Sequence, residues 1–244
     1  MLSIVKSMSL HGLEGYLIDV QVDVSAGMPS WQVVGLPDAS VKESSERVRT
    51  AIKNSSYEFQ SRKIVVNLAP ADTKKEGSFF DLPIAVGILI NFEEIKKQNL
   101  ENTVFIGELS LNGKLNHING VLPMCIEARN LGIKRIILPE ENAKEASIVD
   151  GIEVIGVKNL KQVVNFLNHK EKISPKSANL EEFFNNKKQY AFDFSEVKGQ
   201  ENIKRALEVA AARSGTMCYL FGSPGSRKNY DGKANSIYIT RLNI

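Results

Sequence analysis

Nine consecutive apolar residues, Leu82 to Ile90 (LPIAVGILI), form the longest apolar run in the chain. The run is far shorter than the about 20 residues that a membrane span needs. It reads as a buried helix, with Pro83 tolerated in the first turn, where a missing N–H costs nothing. The sequence around it alternates strand and helix signals. Gly15–Ser25 (GYLIDVQVDVS) has the apolar/polar alternation of a half-buried strand. Trp31–Val34 and Lys63–Leu68 are further strands. Between them Asp38 caps a helix with Val41, Val48, Ala51 and Ile52 on its apolar face. Val104–Leu109 and Lys114–Ile118 flank Asn112-Gly113, a hairpin-turn signal. Val121–Leu131 is a helix ended by Gly132 in the left-handed region. Strand Arg135–Leu138, helix Glu140–Val149, strand Ile152–Val157 and helix Leu160–Leu167 complete an α/β pattern.

At 43% hydrophobic and 24% charged residues, the chain carries enough apolar material for a packed core. Its net charge of +3 is too small to argue for nucleic acid by itself. Cys125 and Cys218 lack metal or disulfide spacing and read as reduced core thiols. His11, His117 and His169 stand alone, so no metal site is expected. The N-terminus has no uninterrupted apolar run of signal-peptide type, and a cytoplasmic location without membrane contact is expected.

Two candidate sites stand in the first half. Ser78 and Asp81 lie at the start of the apolar helix, where side-chain oxygens satisfy open amides. A nucleophilic Ser78 would need a base, and no lysine is placed beside it by the sequence. Lys42, Arg47, Arg49 and Lys53 give the capped helix a basic face, read as solvated, with phosphate contact as the alternative.

Residues 169–190 are polar, lack a sustained period and read as a linker. A new unit follows. Phe194–Gln200 leads into a helix, Glu201–Arg213, and the strand Cys218–Phe221 runs into Gly222-Ser223-Pro224-Gly225-Ser226. Strand followed by a glycine loop is the context of a phosphate-binding loop, G-x-x-x-x-G-K-[ST]. Gly222 and Lys228 fit that pattern. Arg227 replaces the second glycine, putting a side chain where the backbone must approach phosphate. Asn229 replaces the hydroxyl that would hold Mg²⁺. The following NYDGKANS is a string of turn formers, not a helix.

Three segments, GLPDASVKESSERVRTAI, NLAPADTKKEGSFFDLPIA and FIGELSLNGKLNHINGVLPM, resemble the N-terminal domain of the magnesium-chelatase-like AAA+ ATPases of the ComM/YifB family. The resemblance extends nearly to Ser226. It implies an α/β fold with a ribosomal-S5-like, Lon-protease-like domain over residues 1–168. A linker at 169–190 and the start of an AAA+ P-loop domain at 191–226 follow. Against the Lon K-D-G-P-S-A-G stretch, Lys75 to Asp81 places Phe79 at the serine, and Leu122 falls at the lysine. Peptidase activity is therefore not expected. In the AAA+ part, the resemblance implies that Val197 and Gly199 lie near the base and that Gly222 to Ser226 and Lys228 face the phosphates. ATP and Mg²⁺ are the implied cofactors of the intact protein, and DNA and a self-associated ring its implied partners. This chain is expected to bind neither cofactor well and to be monomeric or poorly assembled. The alternative is an S5-like binding module, without catalysis, for nucleic acid or a protein partner.

One event accounts for the broken loop. Permitted codons from Arg227 onward, read one nucleotide later, can encode G-K-T-M-M-A-K-R-I-P-S-I-L, which restores the loop and a following helix. Residues 227–244 are thus expected to be out of frame after a single-base insertion. Residues 191–226 fall below the about 40 residues at which even marginal domains need staples, so they are expected to pack poorly.

Overall fold

The computed structural model describes residues 2–96, 100, 102–177 and 199–212. The chain divides into two compact units, Met1–Leu180 and Glu181–Ile244. In the first unit a seven-stranded sheet has the order β3-β4-β2-β1-β5-β8-β9. Its strands are β1 (Leu2–His11), β2 (Glu14–Ser25), β3 (Ser30–Val34), β4 (Lys63–Ala69), β5 (Thr103–Phe105), β8 (Arg135–Pro139) and β9 (Glu153–Val157). β2 runs antiparallel to β1 and β4, while β3–β4, β1–β5, β5–β8 and β8–β9 are parallel. A separate hairpin joins β6 (Glu108–Leu109) to β7 (Leu115–Asn116).

Five helices cover the sheet: α1 (Ala39–Asn54), α2 (Asp81–Asn91), α3 (Val121–Asn130), α4 (Glu140–Ala146) and α5 (Leu160–Leu167). Two cores result. α1, α2 and α5 bury Ile52, Ile84, Ile88 and Val163 with Val20, Val66 and Ile137. α3 and α4 bury Met124, Ala128 and Ala143 with Met8, Ile136 and Leu138. The apolar run is helical as expected, and Asp81 through Ile90 are all buried. Asp38 caps α1 through its carboxylate, which accepts from Val41 N at 2.8 Å. Gly132 follows α3 with φ 78°.

Three elements differ from the sequence reading. β1 was not anticipated, although it sits in the middle of the sheet. Its polar Ser3, Ser7 and Ser9 are buried while Leu2 and Ile4 are exposed, the reverse of the usual alternation. The run Val104–Leu109 is not one hairpin strand. It splits into β5, in the large sheet, and β6, in the small hairpin. α4 ends at Ala146, three residues before Val149, where Ser147 N and Val149 N close turns onto Ala143 O and Ala146 O. Beyond α5 the chain stays with the sheet, since Lys176 N donates to Val154 O at 2.9 Å. In the second unit, helix α6 (Glu201–Ala212) is described by itself. Among the described residues no helix is long and apolar enough to cross a membrane.

Candidate functional site

The loop from β4 to α2 carries the residues singled out at the sequence level. Lys75 is buried, and its ammonium donates to the carbonyls of Pro70 and Thr73, the latter at 2.7 Å. Burial pulls its pKa down, against a smaller upward pull from Asp72. Its backbone ties the loop to the start of α1: Lys75 N donates to Leu36 O and Asp38 N to Lys75 O, both at 3.0 Å. Ser78 to Phe80 then form a single 3-10 turn into α2.

Ser78 and Asp81 do not cap this helix, and neither end-residue makes a side-chain cap bond. The Ser78 hydroxyl donates to the Glu108 carboxylate on β6. The other Glu108 oxygen accepts from Asn116 Nδ2 at 2.9 Å. Burial pushes the Glu108 pKa up, but these two bonds and the Arg47 charge together hold it below its usual value. Asp81 is fully buried and takes a two-point contact from Arg47, Nε to Oδ2 at 2.8 Å and Nη2 to Oδ1 at 3.0 Å. Leu109 N also donates to it, at 3.2 Å. Burial pushes the Asp81 carboxyl up to about 6, with Arg47 and the Leu109 amide pulling against that. The helix start is met instead by backbone, Leu82 N donating to Gly107 O at 3.0 Å.

The same contact corrects the reading of the basic helix face. Arg47 turns inward, its side chain only 23% exposed, and also donates to Ser40 O. Arg49 lies over the Phe59 ring at 5.5 Å. Lys42 and Lys53 remain exposed. The Arg47–Asp81 pair and Glu108 were missed as a constellation. The available signal was a carboxylate at the mouth of an all-apolar helix, a position that demands a cationic partner.

Phe79 and Leu122, which the sequence reading set against the Lon-type dyad, are half-buried hydrophobics packed against the core under α3. Phe79 also packs against Phe80, ring centres 4.7 Å apart and ring planes tilted by 43°. Cys125 is buried and free, its thiol pushed up to about 12 by burial. No cluster of acids, histidines and cysteines fit for a metal exists among the described residues.

Of the expected nucleotide contacts, Gly199 is described: it is exposed, has φ 73° and precedes α6. Val197, Gly222, Ser223, Pro224, Gly225, Ser226 and Lys228 lie outside the described residues, as do Arg227 and Asn229.

Comparison with known proteins gives two family matches. The model "Subunit ChlI of Mg-chelatase" matches residues 20–142, half of the chain. The model "Magnesium chelatase, subunit ChlI" matches residues 193–238, and so runs past Arg227. Competence protein ComM of Haemophilus influenzae is 38% identical over 229 residues, covering 93% of this chain and 44% of that protein. The YifB protein of Escherichia coli is 38% identical over 228 residues, with the same coverage. Lon protease 2 of Bacillus subtilis is 29% identical over 181 residues, 66% of this chain and 32% of that protein, in keeping with a Lon-like N-terminal fold. The chain thus spans less than half the length of these relatives. It belongs to the Mg-chelatase ChlI family and is ComM/YifB-like.

Proposed function

We propose that this chain is the front portion of a ComM/YifB-type ATPase, whose whole form uses ATP and Mg²⁺ to drive a DNA motor in competence. The observation that carries this reading is the family match over residues 193–238, which takes in Cys218 to Ser226, the sequence expected to form a strand and glycine loop. The ComM relative supplies the link to competence. Branch migration of DNA during transformation, assembly as a ring and a cytoplasmic location belong to the same reading. Phe79 and Leu122 support no peptidase chemistry, since neither side chain can serve as nucleophile or base.

The residues present do not fit Mg·ATP. Arg227 places a side chain where the second glycine would let the backbone approach phosphate, and Asn229 replaces the metal-holding hydroxyl. A one-base shift before codon 227 explains both changes and the helix-breaking NYDGKANS. Sequencing the gene there is decisive: codons that cannot yield Gly-Lys-Thr in the shifted frame rule the shift out.

The binding test uses a fluorescent ATP analogue with Mg²⁺ and two chains. This chain is expected to bind no tighter than about 1 mM. A chain with Arg227→Gly and Asn229→Thr, followed by the in-frame helix, is expected to bind at least about tenfold tighter. Micromolar binding by the unaltered chain overturns the reading of its loop.

A further inference from the structure

The carboxyl edge of the sheet holds a second candidate site, built independently of the glycine loop. Pro139 at the end of β8 pairs in register with Val157 at the end of β9. From these adjacent ends the chain departs to opposite faces. α4 places Ala143 and Ala146 in one core, whereas α5 places Leu160, Val163 and Val164 in the other. Neighbouring parallel strands that send their connections to opposite faces leave a crevice outside their carboxyl ends, where open α/β sheets bind ligands.

The crevice is present, with a volume of about 670 Å³. That is within the range of small-molecule sites. The β6–β7 hairpin and the end of α1 close its far side and are joined by Asn54 Nδ2 donating to Leu111 O at 2.8 Å. Lys158 and Lys161 enter from the β9–α5 junction, Lys114 from the hairpin, and Glu140 and Glu141 from α4. The ion pairs are long: Lys114–Glu141 at 3.6 Å and Lys158–Glu140 at 3.4 Å, with all four side chains at least 38% exposed. Lys176 also reaches Glu140, at 3.9 Å. Exposed pairs of this kind are worth at most about 1 kcal/mol and open readily. Lys161 makes no ion pair among the described residues. With three cations and two anions on its walls and a fourth cation beside Glu140, the crevice carries excess positive charge. The first turn of α5 adds positive potential at the same edge.

We propose that this crevice binds a phosphate group, held by Lys114, Lys158 and Lys161. Free polyphosphate and the backbone of a nucleic acid offer the same chemistry, and the two probes below separate them. All measurements use the full chain carrying Lys228→Gln, so that phosphate held at the glycine loop does not enter. Inorganic tripolyphosphate and a 20-nucleotide single-stranded DNA are titrated at two salt concentrations. The chain with Lys114→Gln, Lys158→Gln and Lys161→Gln is compared with one carrying Lys6→Gln, Lys63→Gln and Lys134→Gln. Circular dichroism confirms that both are folded.

Salt-sensitive binding of either probe, weakened at least about tenfold by the crevice changes and less than about twofold by the control changes, supports the site. Tripolyphosphate binding assigns it to a free anion, and binding of DNA alone assigns it to a nucleic-acid backbone. Absence of binding to both probes, or equal binding by the two triple variants, overturns the proposal. Neither result bears on whether the glycine loop binds ATP.

Discussion

Asp81 concentrates the electrostatic strain of the first unit at one residue. Its carboxyl is fully buried and raised to about 6, whereas an unfolded chain would hold it near its ordinary value of 3.8. Between those values the folded chain keeps a proton that the unfolded chain has released. The linked stability is therefore complete below about pH 4 and is lost as pH rises through about 6. Two pKa units correspond to about 3 kcal/mol. Asp81→Asn removes the titration, so its stability relative to the unaltered chain should rise by about 2 kcal/mol between pH 4.5 and pH 7. Urea unfolding of both chains at the two pH values measures this, and parallel behaviour would refute the raised pKa. Arg47→Met tests the partner: without the guanidinium that pulls it down, the buried Asp81 carboxyl should stay protonated to higher pH, so the fall in stability between pH 4.5 and pH 7 should be steeper than in the unaltered chain, read from the same urea unfolding. None of this was legible from spacing. Arg47 sits among exposed charges in the sequence, and its inward turn depends on Asp81, 34 positions away.

At the scale of elements, the bend at Gly35 that follows β3 shows how close backbone approach constrains one position. A Cβ at Gly35 would stand 2.2 Å from the carbonyl oxygen of Leu68 on β4, and the residue has φ 95°. Gly132 shares the left-handed backbone, φ 78°, but has nothing within 4 Å of its Cβ position. Gly35→Ala should cost about 3 kcal/mol and Gly132→Ala about 1 kcal/mol, read from the thermal unfolding of both variants. A smaller loss at Gly35 than at Gly132 would contradict the clash. Strands β2, β3, β4, β8 and β9 and most of the helices were legible because period and punctuation are local. α1, α2, α3 and α5 follow from apolar spacing, the Asp38 cap and Gly132. β1 was hidden because packing inverts its pattern: Ser3 is buried, donating to Gly87 O at 2.9 Å and accepting from Asn91 at 2.9 Å, while Leu2 and Ile4 face outward. A hydroxyl that bonds a helix backbone replaces the apolar contact that alternation would require. The split of Val104–Leu109 was hidden for a similar reason. The break falls at Gly107, whose N donates to Phe79 O at 2.9 Å and whose carbonyl accepts from Leu82 N at 3.0 Å, so the chain leaves the β5–β8 ladder there.

For the molecule as a whole, the decisive fact is that both cores close within the first unit. Every residue of the two buried clusters lies between Val5 and Leu167, and Ile173 packs against the larger one. The sequence motifs pointed to Gly222–Lys228 for chemistry, whereas the described polar constellations lie at Arg47–Asp81–Glu108 and in the crevice beside β9. Both were invisible to motif reading, because residues far apart in sequence meet there only after the sheet has formed. A unit of this size with two complete hydrophobic layers falls within the range of independently folding domains. The chain ending at Leu180 is therefore expected to fold alone. It should unfold in one cooperative step, with a midpoint within about 4 °C of the corresponding transition in the full chain, the shift that about 1 kcal/mol produces at this size. Calorimetry of the two chains checks this, with near-ultraviolet circular dichroism reporting fixed packing around Trp31. A fragment that loses the near-ultraviolet signal, or melts more than about 10 °C lower, would show that residues 181–244 contribute to the stability of the first unit.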